Sequence, residues 1–152
     1  MTMLSLHEAQ RIAQAARAKA RDLDLEPMTV AILDLGGHLR LLEREDGSAL
    51  LRPDIATAKA WGALGMGLPT AELARRNELM PAFFQALGPV SDGRMIPVPG
   101  GVLIAREGAV VGAIGISGST SDNDEICAVA GVEAAGFDAD AAATPEVRAL
   151  DL

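Results

Sequence analysis

Four side chains in the first half of the sequence are of types that can perform acid–base, metal-binding or anion-binding chemistry: Asp34, His38, Arg44 and Lys59. Asp34 and His38 lie on either side of a Gly-Gly pair that separates two apolar runs. An imidazole can ligate iron or transfer protons near neutral pH, and a carboxylate beside it can act as a general base or metal ligand. His38 is therefore the candidate metal ligand, and both residues are candidates for catalysis.

Both residues also have a purely structural interpretation, and the residues alone leave it open. A carboxylate at the position of Asp34 can accept hydrogen bonds from the amides of the turn that follows. His38 can equally be a solvated turn residue. The other histidine, His7, falls in the first turn of a predicted helix, where a cation opposes the helix dipole, and it is assigned to the surface.

Lys59 is the only charged residue between positions 55 and 64, in an otherwise apolar helical segment. A lysine in such a segment either extends its stem to solvent or binds an anion, and a carboxylate would suit it. Arg44 ends the second apolar run, where a surface salt bridge with Glu43 or Glu45 would contribute at most about 1 kcal/mol. Either cation could instead bind the carboxylate of a ligand.

Composition excludes several classes of partner. The chain has 152 residues, enough for one domain with a buried core, and a net charge of −8, which argues against nucleic acid and anionic membrane surfaces. No apolar run approaches the roughly 20 residues that span a bilayer, and no signal peptide is recognisable. Cys127 is the single cysteine, which fits a reducing cytoplasm. Apolar helix faces with only 22% charged residues predict a homo-oligomer.

Two strand pairs separated by helical sequence predict an α+β fold, an antiparallel sheet of four to five strands packed with helices. The Gly-Gly pair predicts the first hairpin, Ser5 and Glu8 have the spacing of a capping box, and Thr70 is expected to cap a helix. Helices are predicted over 5–22, 53–65, 70–79, with a further turn over 81–87, and 121–136. Strands are predicted over 28–34, 38–44, 102–106 and 109–117, with a loop over 88–101 and a flexible tail over 138–152.

The glycines at 112, 115 and 118 do not form a dinucleotide fingerprint, because they lie within and just after a strand rather than in a βαβ turn. Such glycines usually mark close approach of two backbones. The helix that follows begins with acidic residues that would repel a phosphate. Asp124 and Glu125 are therefore either capping residues or carboxylates turned toward a pocket or a cation, and Cys127 is expected to be a buried thiol.

Eight short motifs together resemble the GlcG/HbpS family, whose domain is also fused to some PduO-type corrinoid adenosyltransferases. In order they are MTVAILD at 28–34, GGHL at 36–39, ER at 43–44, DIA at 54–56, AKA at 58–60, PGGV at 99–102, GAIGISGS at 112–119 and DEIC at 124–127. The resemblance implies a profilin- or PAS-like domain over residues 1–137 and a homo-oligomer. It also implies haem or corrinoid binding and places His38, Lys59, Gly100, Gly101 and Ser117 at the cofactor.

Two functions follow as hypotheses. The first is a binding protein for haem or another tetrapyrrole, with His38 as iron ligand and cations for the carboxylates. The second is a cofactor-free lactone hydrolase, tautomerase or lyase acting on a small organic acid. In that case Lys59 or Arg44 would hold the substrate and Asp34 or His38 would transfer protons. The low aromatic content, 3%, counts against haem, and the family resemblance counts for it.

Overall fold

The computed structural model describes residues 3–140 and gives them five helices and five strands. In chain order these are α1 (Leu6–Asp22), β1 (Thr29–Asp34), β2 (Leu39–Arg44), α2 (Arg52–Met66), α3 (Thr70–Leu79), α4 (Pro81–Val90), β3 (Gly101–Arg106), β4 (Ala109–Ser117), α5 (Ser121–Ala134) and β5 (Asp138–Asp140). The predicted elements lie within a few residues of the observed ones. None of the described helices is long and apolar enough to cross a bilayer.

The strands form one antiparallel sheet in the order β2-β1-β4-β3-β5, which confirms the predicted α+β fold. Alternate residues of β1 point to opposite faces of the sheet. Val30 and Ile32 pack in a cluster with α1 and α5, whereas Leu33 packs with Ala60 and Ala63 of α2. The sheet is therefore covered by α1 and α5 on one face and by α2 on the other.

Local signals in the sequence account for α1, one of the two helices that cover the first of these faces. Ser5 and Glu8 form the predicted capping box, since each side chain accepts a hydrogen bond from the other's backbone amide. The residues of α1 that are buried recur at helical spacing: Ala9, Ile12, Ala13, Ala16 and Ala20. The small side chains let α1 lie close to α5 and the sheet.

The glycines of β4 confirm the expected close approach of backbones. A Cβ atom at Gly115 would collide with the carbonyl of Ala56 in α2, and one at Gly118 would lie 2.8 Å from the Cα atom of Met28. Only glycine leaves room for these contacts, so α2 lies close to β4 at Gly115, and the chain that follows β4 lies against Met28 at Gly118.

Three predictions about local structure were wrong. Asp138–Asp140, placed in a flexible tail, form β5 by pairing with β3, and the rest of that tail lies outside the described residues. The segment 81–90 forms a ten-residue helix rather than a single turn. Thr70 does not cap α3, because its hydroxyl accepts the amide of Gly101 at 2.7 Å and so joins α3 to β3. The outcomes for β5 and Thr70 depend on contacts distant in sequence, with β3 in both cases.

Candidate functional site

A cavity of about 260 Å³ lies at the end of the sheet, beneath the turn that joins β1 to β2. Three polar side chains, Asp34, His38 and Arg40, face it beside apolar walls. The residues that line the cavity are Met3, Leu4, Asp34, Leu35, Gly36, His38, Arg40 and Val111. A mostly apolar cavity with a few convergent polar groups is the usual form of a small-molecule site.

Two β-bulges build this cavity. In the β1–β2 pair, Ile32 lies opposite Leu41 and Leu33 opposite Leu39, so Arg40 is an extra residue without a partner. In the β3–β4 pair the register shifts at the corresponding end of the sheet, and Val111 is the extra residue. A bulge redirects a side chain that regular pairing would place elsewhere, and both extra residues line the cavity.

The turn fixes the carboxylate of Asp34. Its Oδ1 atom accepts hydrogen bonds from the amides of Gly36 and His38, both at 3.0 Å. The same oxygen lies 3.4 Å from Nδ1 of the His38 ring, whose side chain is 82% exposed. Asp34 therefore accepts hydrogen bonds from the amides of the turn, as considered above. It also lies beside one ring nitrogen of His38. This arrangement leaves Nε2 as the nitrogen free to bind a metal or transfer a proton.

Arg40 belongs to the site but was not among the predicted residues. Its Nε atom is buried and has no hydrogen-bond partner among the described residues. An arginine donor that is removed from water without an acceptor is energetically unfavourable unless a ligand supplies one. The signal in the sequence was the same as for Lys59, a single charge in the apolar run 39–42.

Lys59 does not line this cavity. It is 2% exposed, and its Nζ atom donates to the carbonyl of Ile116 at 2.8 Å and to Oδ2 of Asp124 at 3.0 Å. Asp124 is 1% exposed and its other oxygen accepts the amide of Ser119 at 2.9 Å. The ligand-facing carboxylate partner expected for Lys59 is thus replaced by an internal one, because a buried ammonium requires a nearby anion.

Burial has opposite effects on the two charges of this pair. Desolvation lowers the pKa of Lys59, although the charge of Asp124 and the hydrogen bond to it act in the other direction. Desolvation likewise raises the pKa of Asp124, and the charge of Lys59 counteracts this shift. For each of the two groups burial is the largest influence on the pKa, as expected for an ion pair that is removed from water.

The other predicted cofactor-binding residues surround Lys59 rather than the cavity. A Cβ atom at Gly100, whose φ is +122°, would lie 2.8 Å from Nζ of Lys59. Gly101 lies against the backbone of Lys59, so neither glycine has space for a ligand. Ser117 is buried and its hydroxyl accepts a hydrogen bond from Arg52 at 2.9 Å. These residues join α2 to the sheet.

Arg44 lies at the opposite end of β1 from Asp34. It pairs with Thr29, five residues away from Asp34, a separation of about 16 Å along the strand. Arg44 is exposed in a groove with Arg17 and Arg21. The glutamates expected to bind Arg44 bind these two arginines instead, at 2.9 and 3.6 Å. The structure therefore brings together Asp34 and His38 but neither Arg44 nor Lys59.

One carboxyl group and one thiol with altered pKa values lie outside the site. Glu125, a partly buried residue of α5, has a buried Oε1 that bonds to none of residues 3–140, and burial and the charge of Asp122 raise its pKa. Burial raises the pKa of Cys127 to about 11, so this thiol is not a nucleophile at neutral pH. No group of three or more His, Cys, Asp or Glu side chains within residues 3–140 could hold a bare metal ion.

The match to a family model extends over residues 4–133, and that family is described as haem-degrading protein HbpS-like. The chain belongs to the HbpS-like family. This confirms the resemblance inferred from the motifs. The fold agrees: a solved complex of the PduO C-terminal domain with haem has a TM-score of 0.81 at 26% identity and covers 93% of this chain and 100% of that one.

HbpS itself is similar in both sequence and structure. Its crystal structure has a TM-score of 0.75 at 30% identity, with 88% of this chain and 90% of HbpS covered. A 15.0 kDa uncharacterised protein of Citrobacter freundii is 30% identical over 82% of this chain and 87% of its own length. The corrinoid adenosyltransferase PduO of the same organism is also 30% identical, but this HbpS-like chain matches only 36% of its length.

Proposed function

We propose that this HbpS-like protein binds haem and that Nε2 of His38 would bind the iron. The observation that carries the proposal is the position of His38 at the mouth of an apolar cavity, with a carboxylate oxygen of Asp34 3.4 Å from its Nδ1. Metal-ligating histidines usually direct their second ring nitrogen to a carboxylate or carbonyl, which orients the ring. Haem supplies four of its iron ligands itself, so one imidazole is sufficient.

The apolar walls fit the edge of a tetrapyrrole. Leu4 and Val111 are buried in the cavity floor, and Met3 and Leu35 are exposed at its rim, at 77% and 50%. The volume of 260 Å³ lies below the roughly 300–1,000 Å³ of sites that enclose a whole ligand. Only one edge of the macrocycle would therefore enter the cavity, and the remainder would lie over the exposed rim. The haem complex of the PduO domain, which has the same fold, supports this proposal.

The same geometry supports a second candidate, a cofactor-free enzyme that acts on a small organic acid. The Asp34–His38 pair is the specific observation that favours it, because an imidazole 3.4 Å from a carboxylate can transfer protons. Asp34 already accepts two backbone amides. His38 would then be the acid–base group and Asp34 the residue that positions it.

Titration of the purified protein with haemin, followed by absorbance, tests the haem proposal. We expect a saturable Soret shift that His38→Ala abolishes. His7→Ala is the matched control, because it removes the only other histidine and lies outside the cavity. Equal spectra for wild type and His38→Ala would refute the ligand assignment, and no shift in the wild type would refute haem binding and favour the enzyme.

A second variant perturbs the position of the imidazole without removing it. A Cβ atom at Gly36 would lie 2.9 Å from Nδ1 of His38, so Gly36→Ala should displace the ring and weaken haemin binding. Gly88→Ala is its control, since a Cβ atom there meets nothing within 4 Å. Circular dichroism should show that both glycine variants remain folded.

A further inference from the structure

We propose that Arg40 binds a carboxylate group carried by an apolar ligand, which makes it the residue that selects acidic ligands for this cavity. The inference extends the proposed function to the same site and rests on the cavity rather than on the iron. The sequence predicts that Lys59 or Arg44 binds the carboxylate of a ligand. The structure pairs Lys59 with Asp124 and places Arg44 about 16 Å away along β1.

Arg40 differs from the other arginines within residues 3–140. Most of these donate to an acceptor within the protein: Arg11, Arg17, Arg21, Arg52, Arg75, Arg76, Arg94 and Arg106. Neither Arg40 nor Arg44 forms an ion pair with a described residue. Arg44 is exposed and can be solvated, whereas Nε of Arg40 is shielded from water and has no acceptor. An acceptor for the Nε–H group of Arg40 must therefore come from outside the described residues.

The backbone shows that this position of Arg40 is built into the sheet. Arg40 is the extra residue of the β2 bulge, and Val111, the extra residue of the β4 bulge, lines the same cavity. Regular pairing of either strand would remove one of the two side chains from the cavity. Bulges are frequent beside binding sites because they redirect side chains in this way.

The chemistry of the cavity favours a carboxylate over a phosphate. The planar guanidinium offers parallel N–H groups that match the two oxygens of a carboxylate. Asp34 also lines the cavity, and its charge would repel a dianion more strongly than a monoanion. The apolar side chains of Leu4 and Val111 suit a hydrocarbon or aromatic group attached to the carboxylate. Such a carboxylate is available from a haem propionate or from a free monocarboxylic acid.

The two sources can be distinguished with one pair of variants and three probes. Arg40→Gln removes the charge, and Arg44→Gln is the matched control on the same strand, since its side chain is exposed and outside the cavity. The probes are haemin, haemin dimethyl ester, which has no free propionate, and benzoate. Haemin and its ester are titrated by absorbance and benzoate by calorimetry, and circular dichroism shows that each variant is folded.

If the carboxylate is a propionate, Arg40→Gln should weaken haemin binding by about tenfold to a hundredfold. Its affinity for haemin dimethyl ester should equal that of the wild type. If it belongs to a free acid, benzoate should bind the wild type and Arg44→Gln but not Arg40→Gln. Unchanged affinity of Arg40→Gln for haemin, together with no benzoate binding to the wild type, would overturn the proposal. Equal losses of affinity in Arg40→Gln and Arg44→Gln would also overturn the proposal, because they would indicate a general effect of the protein's charge.

These outcomes are independent of the haem proposal. Benzoate binding that requires Arg40, in a protein that gives no Soret shift, would support the anion site and refute haem as the ligand. A Soret shift that requires His38 but is insensitive to Arg40→Gln, with no benzoate binding, would support haem and refute the anion site.

Discussion

Replacing Lys59 by methionine should destabilise the fold by leaving Asp124 buried without a cation. Lys59 and Asp124 are 2% and 1% exposed, and Nζ and Oδ2 are 3.0 Å apart. Removing one partner of such a pair costs about 3–5 kcal/mol in the free energy of unfolding. The loss should lie at the low end of this range, because burial already raises the pKa of Asp124 and a protonated carboxyl group needs no cation.

A double variant shows how much of this loss of stability comes from the unpaired charge of Asp124. Asp124→Asn keeps an oxygen that can accept the amide of Ser119, which now bonds to Oδ1 at 2.9 Å. In Lys59→Met/Asp124→Asn no unpaired charge remains. Its stability should therefore be higher than that of the Lys59→Met single variant and within about 2 kcal/mol of the wild type.

The stability of Lys59→Met should also depend on pH with a definite sign. Without Lys59, the folded pKa of Asp124 rises further above that of the unfolded chain. Between these two pKa values the folded state binds more protons than the unfolded state. Its stability therefore increases as pH falls toward the ordinary aspartate pKa of about 4 and decreases as pH rises. The double variant, which has no carboxylate at this position, should lack this dependence.

Urea unfolding, followed by circular dichroism and by the fluorescence of Trp61, the single tryptophan, measures these quantities. Lys19→Met is the matched control, since it removes the only other lysine and should change stability by less than about 0.5 kcal/mol. If Lys59→Met is as stable as Lys19→Met but binds haemin or benzoate weakly, the internal pair is wrong and Lys59 contacts the ligand.

Two further predictions concern the thiol and the assembly. Because burial raises the pKa of Cys127 to about 11, the folded chain should hold a proton that the unfolded thiol releases above its ordinary pKa of about 8.5. Stability should thus fall as pH rises from about 8.5 toward 11, and Cys127→Ala should reduce this slope in urea unfolding. Helix α4 buries only Phe84 and leaves Phe83 and Val90 48% and 77% exposed, so we expect self-association. Sedimentation equilibrium should give a mass well above the 15.7 kDa of the chain, and a monomer would contradict this expectation.

The fold was predictable because its signals are local. The capping box at Ser5, the Gly-Gly hairpin and the apolar run of β1 each act within a few residues, and the corresponding elements were found where expected. Thr70 is a residue for which the local signal was misleading. Its hydroxyl could cap α3 locally, but it bonds instead to Gly101, 31 residues later in the sequence. A local pattern cannot indicate which of two partners a side chain binds.

The site was predictable only in part, for the same reason. Asp34 and His38 are four residues apart, and the turn between them ensures that they meet. Lys59 was identified as an ion that needs a partner, but the partner, Asp124, is 65 residues away. Arg40 is visible in the sequence as a single charge in an apolar run, but the direction of its side chain is not, because strand alternation predicts side-chain directions only for regular pairing. A bulge depends on the register of the neighbouring strand, and no motif in this sequence indicates that register.

The bulge at Arg40 has a consequence for solubility as well as for binding. β5 covers the outer edge of β3, but β2 forms the other edge of the sheet, and no described strand pairs with the side of β2 that faces away from β1. Leu39 and Leu42 are exposed on this edge strand, at 53% and 42%, so the strand is a potential template for aggregation. The bulge interrupts the regular row of amide and carbonyl groups that an added strand would need. The irregularity that directs a cation into the cavity therefore also discourages edge-to-edge association, and a variant that lacks the extra residue would be at risk of losing both properties.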